Sequence, residues 1–238
     1  CLLLLTAAVP GAAAENVEPL LRSWSLKPAW IHPSARLAEG RQGKALELAG
    51  GGVEAEAAGT LTPATGSVDL WLRTPKEWPA KEDVTLLHLG ETAHTHVTLF
   101  FRSGALQAVY KASEELYSSL RAPETTKWDG GSWHRVQFSW RPGGVGAEFF
   151  LAVDGRWIGS GENQRIAEWP ARLYLGARGR SRYPWPGLLG PVSLRPTPAE
   201  PPGFTPGCRV IEVNAREAAG ECYNFWSIQN FTSQHMFA

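Results

Sequence analysis

A chain of 238 residues, 43% of them apolar, is long enough for one large domain or two small ones with an ordinary packed core. Its 23 basic and 23 acidic residues cancel to a formal charge of +0, which argues against a general polyanion binder, because such proteins carry a basic excess. Gly (25), Pro (18) and Trp (11) are plentiful, and many turns with many aromatics favour short strands in an all-β chain.

The chain opens on Cys1 and an apolar run, Leu2 to Val9, followed by the small residues Ala12, Ala13 and Ala14. Residues 1–14 read as the end of a secretory signal peptide cleaved near Ala14. The run falls short of the roughly 20 apolar residues that cross a bilayer, so no membrane span is expected. The protein is placed outside the cytoplasm: secreted, periplasmic or on the cell surface. A buried N-terminal helix is the alternative. Residues 15–43, broken by Pro28 and Pro33, read as an irregular segment.

From residue 44 the texture changes to short runs with period-two alternation, separated by Gly, Pro or Asp. The pattern predicts strands at 44–49, 53–57, 66–73, 84–90, 95–102, 105–110, 116–121, 133–141, 147–153, 156–160, 172–176 and 188–195. No helical periodicity interrupts them. Many short strands at near-regular spacing mean a sandwich or a barrel. In AEFFLAV, Phe149, Leu151 and Val153 share one face while Phe150 and Ala152 share the other, so this strand is covered on both sides. Val136, Phe138 and Trp140 point one way and Arg135, Gln137 and Ser139 the other, which gives a dry face and a wet one. Asp154-Gly155 between two apolar runs signals a two-residue hairpin, whose turn needs positive φ at both positions. His134 shares the parity of the dry face and reads as a structural residue at the margin of the core.

GRQGKALELAG, GSVDLWLRTP, TLLHLG, GSWHRVQFSW, FFLAVDGRWIG and LYLGARG occur in an order that resembles laminin-G-like domains of the concanavalin A-like lectin/glucanase superfamily. The resemblance runs from about Arg41 to Pro196 and implies an antiparallel jelly-roll β-sandwich over residues 44–196. Two features depart from it. The last strand is GLLGPVSLR, with Gly190 and Pro191 where relatives place acids. No Glu-x-Asp-x-x-Glu is present, and glycan hydrolysis by such relatives needs carboxylates alternating along one strand so that all reach one face. Calcium, common at the rim of related sandwiches, needs several oxygen ligands. Asp129 and Asp154 lie in turns but do not cluster, so calcium stays open without assigned ligands, and no other cofactor is expected.

His94 and His96 share a face if a strand includes both, with His88 on the strand before, but no metal site is assigned to them. No Gly-x-Ser-x-Gly and no Ser/His/Asp set is evident, so no catalytic residue is assigned. The candidate ligand-binding residues are loop aromatics and arginines: Trp78, Trp128, Trp169, Tyr183 and Trp185, with Arg178 and Arg180 of ARGRSRYPWPG. Sugar rings present C–H faces that stack on aromatic rings, and guanidinium groups read carboxylate or sulfate. The alternative for each Trp is that it folds back over the end of the sandwich.

Residues 197–207 are Pro-rich and read as a linker. Residues 208–238 start a new pattern that reads as the beginning of a second domain. Its Cys208 and Cys222 form a disulfide in an exported chain, or remain two free thiols. The reading is a non-catalytic carbohydrate-binding or accessory module of a larger extracellular protein, whose partner is carbohydrate or a downstream catalytic domain, not nucleic acid. The alternatives are the front of a glycoside hydrolase whose catalytic residues lie beyond Ala238, and an adhesion module with a protein partner.

Overall fold

The structure, a computed structural model, describes residues 12–57, 61–90, 95–167 and 172–199, with the side chains of the first helix described from residue 17 onward. The described elements are an α-helix, α1 (Ala12–Ser23), then β1 (Lys27–Ile31), β2 (Ala35–Glu39), β3 (Lys44–Leu48), β4 (Val53–Glu56), β5 (Gly66–Arg73), β6 (Val84–Leu89), β7 (His96–Arg102), β8 (Ala105–Lys111), β9 (Tyr117–Ala122), β10 (Trp133–Pro142), β11 (Ala147–Val153), β12 (Arg156–Asn163), β13 (Arg172–Leu175) and β14 (Leu188–Arg195). They build two 7-stranded sheets: sheet A in the order β1-β4-β13-β6-β7-β8-β9, and sheet B in the order β12-β11-β10-β5-β14-β3-β2. Neighbouring strands run antiparallel, so the all-β sandwich expected from the strand pattern is the fold.

Alternation sorts the two faces of each sheet. Val97, Leu99 and Phe101 of sheet A meet Val136, Phe138 and Trp140 of sheet B in one core. Phe149 stacks on Tyr110 at 5.4 Å across that core. Phe150 and Ala152, on the opposite face of β11, are also buried, at 3% exposure each, as a strand apolar on both sides requires. At the β11–β12 turn Asp154 has φ +50° and Gly155 +76°, the left-handed pair that a two-residue hairpin demands.

The departure at Gly190 has a packing cause. A Cβ there would lie 2.9 Å from Trp71 Cβ and 3.1 Å from Trp133 Cζ3. The register of β14 against β5 shifts between Leu189 and Val192, so Gly190 and Pro191 form an irregularity over which Trp133 lies.

Residues 15–43 are not irregular as expected. Val17, Leu21 and Trp24 line one face of α1 and join the core, while Glu18 and Arg22 pair on the exposed face. The helix ends with Ser25 at φ +61°, where Ser25 N–H donates to Arg22 O at 2.9 Å and Leu26 N–H to Leu21 O at 3.0 Å. This is the paired capping arrangement usually made with glycine, and a serine in its place hides the helix stop. β1 then pairs with β4 at one edge of sheet A, and β2 with β3 at one edge of sheet B, so the sandwich begins well before residue 44. Residues 1–11, and with them most of the expected signal segment, lie outside the described residues.

The chain leaving β14 does not start as a free spacer. Pro196 O accepts from Thr65 Oγ1 (2.6 Å), Thr197 O from Ser67 Oγ (2.9 Å) and Ala199 O from Ser139 Oγ (2.8 Å). Residues 196–199 are thereby strapped over the outer face of sheet B, crossing from β5 to β10. Cys208, Cys222 and the expected second domain lie outside the described residues.

Candidate functional site

The expected ligand-binding residues separate into two groups. Trp78, Trp128 and Trp185 converge at the end of the sandwich where β7 finishes. Trp78 meets Phe101 edge-on at 4.8 Å and Trp185 at 5.8 Å, and stacks with Trp128 at 6.4 Å. Trp185 is fully buried, stacked on Phe101 at 5.4 Å with its indole N–H donating to Leu188 O at 3.2 Å. It offers no face to a ligand, which corrects its assignment as a binding residue. The apolar flank Pro-Trp-Pro turns the ring inward, where area burial outweighs exposure. Trp78 is half-buried and donates to Thr125 O at 2.8 Å. The loop tryptophans therefore roof the core. Trp169 lies outside the described residues.

Trp128 lies flat on the imidazole of His134, centroids 3.6 Å apart and 2° from parallel. His134 Nδ1 is 2.7 Å from Asp154 Oδ2 and Nε2 is 2.7 Å from Ser132 Oγ. Asp154 Oδ1 also accepts the Arg135 N–H at 2.8 Å. Burial alone would raise the Asp154 carboxyl, but the bonds from His134 and Arg135 N–H outweigh it and hold it below its ordinary value. The structure thus assembles a Ser–His–Asp set that the sequence did not reveal, because Asp154 sits 20 residues beyond His134. It clasps the start of β10 to the β11–β12 turn. Ser132 Oγ also bonds Asp129 O, and the nearby amides are engaged, Gly131 N–H on Pro75 O and Ser132 N–H on Asp129 O. No donors remain among these to stabilise an oxyanion.

These same turns do not fit calcium. The Asp154 carboxylate is committed to His134 and Arg135, and Asp129 O takes the Thr74 and Ser132 hydroxyls. Among the described residues no three His, Cys, Asp or Glu side chains group around a metal position. His88 and His96 do come together, rings 5.2 Å apart, but His88 Nδ1 is taken by Thr98 Oγ1 at 2.7 Å, and His94 lies outside the described residues.

The second group lies on the outer face of sheet A. Strand pairing sets Trp30, Glu54, Tyr174, His88, Thr98 and Val109 in one row across six strands. Arg180, from the β13–β14 loop, donates through Nε to Glu54 Oε2 at 3.0 Å and lies 5.1 Å over the Trp30 ring. Glu54 is only 3% exposed and also accepts from Arg172 Nη1, so a buried carboxylate is doubly compensated. His88 is 4% exposed. Its imidazole pKa is pushed down to about 3 by burial first, then by the charges of His96 and Arg178. Arg178 therefore stands close enough to be felt in the middle of the row. Tyr183, just after the turn closed by Arg178 and Arg182, is 46% exposed, with φ +54°. Sequence reasoning found Arg178, Arg180 and Tyr183 but missed Trp30 and Tyr174; period two places Tyr174 opposite Leu173 and Leu175, which was the available signal.

Several solved structures share this fold. Domain 4 of an extracellular GH43 arabinanase from Geobacillus stearothermophilus, in complex with arabinotriose, matches with TM-score 0.53 at 18% identity, over 74% of this chain and 83% of that one. The CBM40 of the Ruminococcus gnavus IT-sialidase, bound to alpha2,3 sialyllactose, matches at TM-score 0.51 and 15% identity, over 66% and 91%. The ligand binding domain of botulinum neurotoxin serotype D, in complex with N-acetylneuraminic acid, matches at 0.51 and 13%. The match covers 70% of this chain and 43% of that one, so this chain spans under half of the toxin domain. No curated protein matches the sequence. The Laminin G domain model matches residues 79–209, from the β5–β6 loop past the last strand. With more than half of its length under that match, the chain belongs to the Laminin G domain family.

Proposed function

We propose that this domain is a non-catalytic carbohydrate-binding module and that its ligand lies on the outer face of sheet A. The observation that carries the reading is the row Trp30–Glu54–Tyr174–His88–Thr98, which alternates aromatic rings with hydrogen-bonding groups across adjacent strands. Trp30 and Tyr174 are half-buried and supply stacking faces for sugar C–H surfaces, and the exposed Arg172 and Arg180 guanidinium groups, held on the buried Glu54, supply orientation. Arabinotriose, sialyllactose and N-acetylneuraminic acid bound to proteins of the same fold support it.

An accessory role in a larger exported protein is the finer part of the proposal. The strap at 196–199 crosses the outer face of sheet B, on the side of the sandwich opposite the proposed ligand face. Export agrees with the apolar run of residues 2–9, and cleavage after Ala14 would spare the buried Val17, Leu21 and Trp24. A downstream catalytic domain and a Cys208–Cys222 disulfide belong to the same proposal.

A glycan array with the full chain tests the reading. Binding to at least one oligosaccharide class is expected, weakened by Tyr174→Ala and by Trp30→Ala with little change in stability. Binding that survives both substitutions would move the site off sheet A.

A further inference from the structure

We propose that the ligand of the sheet A face carries a negatively charged group, carboxylate or sulfate, received by Arg178 and Arg182; this rests on the carbohydrate-binding reading above. The net charge of +0 spreads no basic field over the protein, so the inference concerns one local site.

The β13–β14 loop is built to present these two side chains. Arg178 and Arg182 pair through their backbones, Arg178 N–H to Arg182 O at 2.8 Å and Arg182 N–H to Arg178 O at 3.3 Å. Gly179, at φ +66°, closes the turn between them. Below the turn, Trp185 is the anchor: buried completely, its backbone N–H donates to Gly176 O at 2.7 Å, and Tyr183 O accepts Thr85 N–H at 2.8 Å. Tyr183 is held in the left-handed region, which a bulky side chain adopts only when its surroundings enforce it, and such residues gather at ligand sites. The loop is thereby ordered before a ligand arrives, which lowers the cost of binding.

The charges within the loop are unequal. Arg180 is committed to the buried Glu54. Among the described residues no carboxylate lies within ion-pair distance of Arg178 or Arg182, and Arg182 instead rests 5.8 Å over the Tyr183 ring. Neither charge is therefore offset by a carboxylate among the described residues, and both stand on the loop beside a row whose central imidazole, His88, is buried. Two guanidinium groups on facing positions of one turn, beside an aromatic row, suit an acidic sugar, whose ring stacks while its anionic group takes charge-assisted hydrogen bonds. His88 does not compete, since it stays uncharged at neutral pH.

The test uses the full chain and matched pairs of oligosaccharides: uronate-bearing against carboxyl-reduced, sialylated against desialylated, and sulfated against desulfated. Titrations at low and high salt compare the unaltered protein with the double variant Arg178→Gln/Arg182→Gln and with Arg195→Gln, which removes a charge from sheet B. The expected result is about tenfold or greater preference for the anionic member of at least one pair, shrinking as salt rises. The preference should vanish in the double variant and persist in Arg195→Gln, and the pair that shows it names carboxylate or sulfate. Equal binding of charged and neutral partners, or a preference that survives the double variant, overturns the anion site while leaving carbohydrate binding standing. No binding to any member of any pair overturns both readings.

Discussion

The buried His88 gives the fold a defined acid sensitivity. In the unfolded chain an imidazole titrates near 6.5, whereas in the fold His88 titrates at about 3, chiefly because burial opposes its charge. Between those values the unfolded chain binds a proton that the folded chain refuses, so this residue's share of stability is complete above pH 6.5 and declines as pH falls. At pH 5 the loss is about 2 kcal/mol, from the 1.5 pH units separating pH 5 from the unfolded value. With a urea slope of ~2–3 kcal/mol/M for a domain of this size, the midpoint drops by roughly 0.7–1 M between pH 7.5 and pH 5. Urea unfolding followed by tryptophan fluorescence at both pH values measures it. His88→Asn, which keeps a polar group facing Thr98 but does not titrate, should remove most of that drop. A variant with the same pH dependence as the unaltered protein would refute the assignment to His88.

Three further substitutions probe the architecture. Trp185→Ala empties a fully buried site and should cost about 3–5 kcal/mol in denaturant unfolding, whereas an exposed ligand-stacking Trp would cost far less. Gly190→Ala forces a Cβ against Trp71 and Trp133 and should cost roughly 1–3 kcal/mol; a neutral result would show that Trp133 moves aside freely. Ser25→Gly relieves a left-handed serine at the helix stop and should stabilise by about 0.5–1 kcal/mol, read as a higher melting temperature, with no gain if that backbone conformation is absent.

The strands from residue 44 onward were legible because apolar alternation in AEFFLAV or WHRVQFSW reports directly on which face is dry. β5, β11 and β14 fall where the pattern puts them. The first helix was hidden for three reasons. Its stop is a serine, Pro19 lies inside it, and the apolar run before it carries a targeting pattern. β1 and β2 escaped because each is a 5-residue edge strand with mixed burial, too short for a period to show. At the site, composition alone could mark Tyr183 and the arginines but could not tell a roofing tryptophan from a binding one. Trp185 lies inside and Trp30 lies on the outer face of sheet A because of long-range pairing, β1 with β4 and the β13–β14 loop against Phe101, which no local pattern encodes.

Amide chemical-shift mapping by NMR, with a glycan that binds on the array, addresses the central claim most directly. Perturbations should concentrate at Trp30, Tyr174, Thr98 and residues 178–183, with the backbone of β10 and β11 in sheet B unmoved. Shifts confined to the Trp78–Trp128 end, or to Trp71 and Trp133 on sheet B, would contradict a ligand face on sheet A.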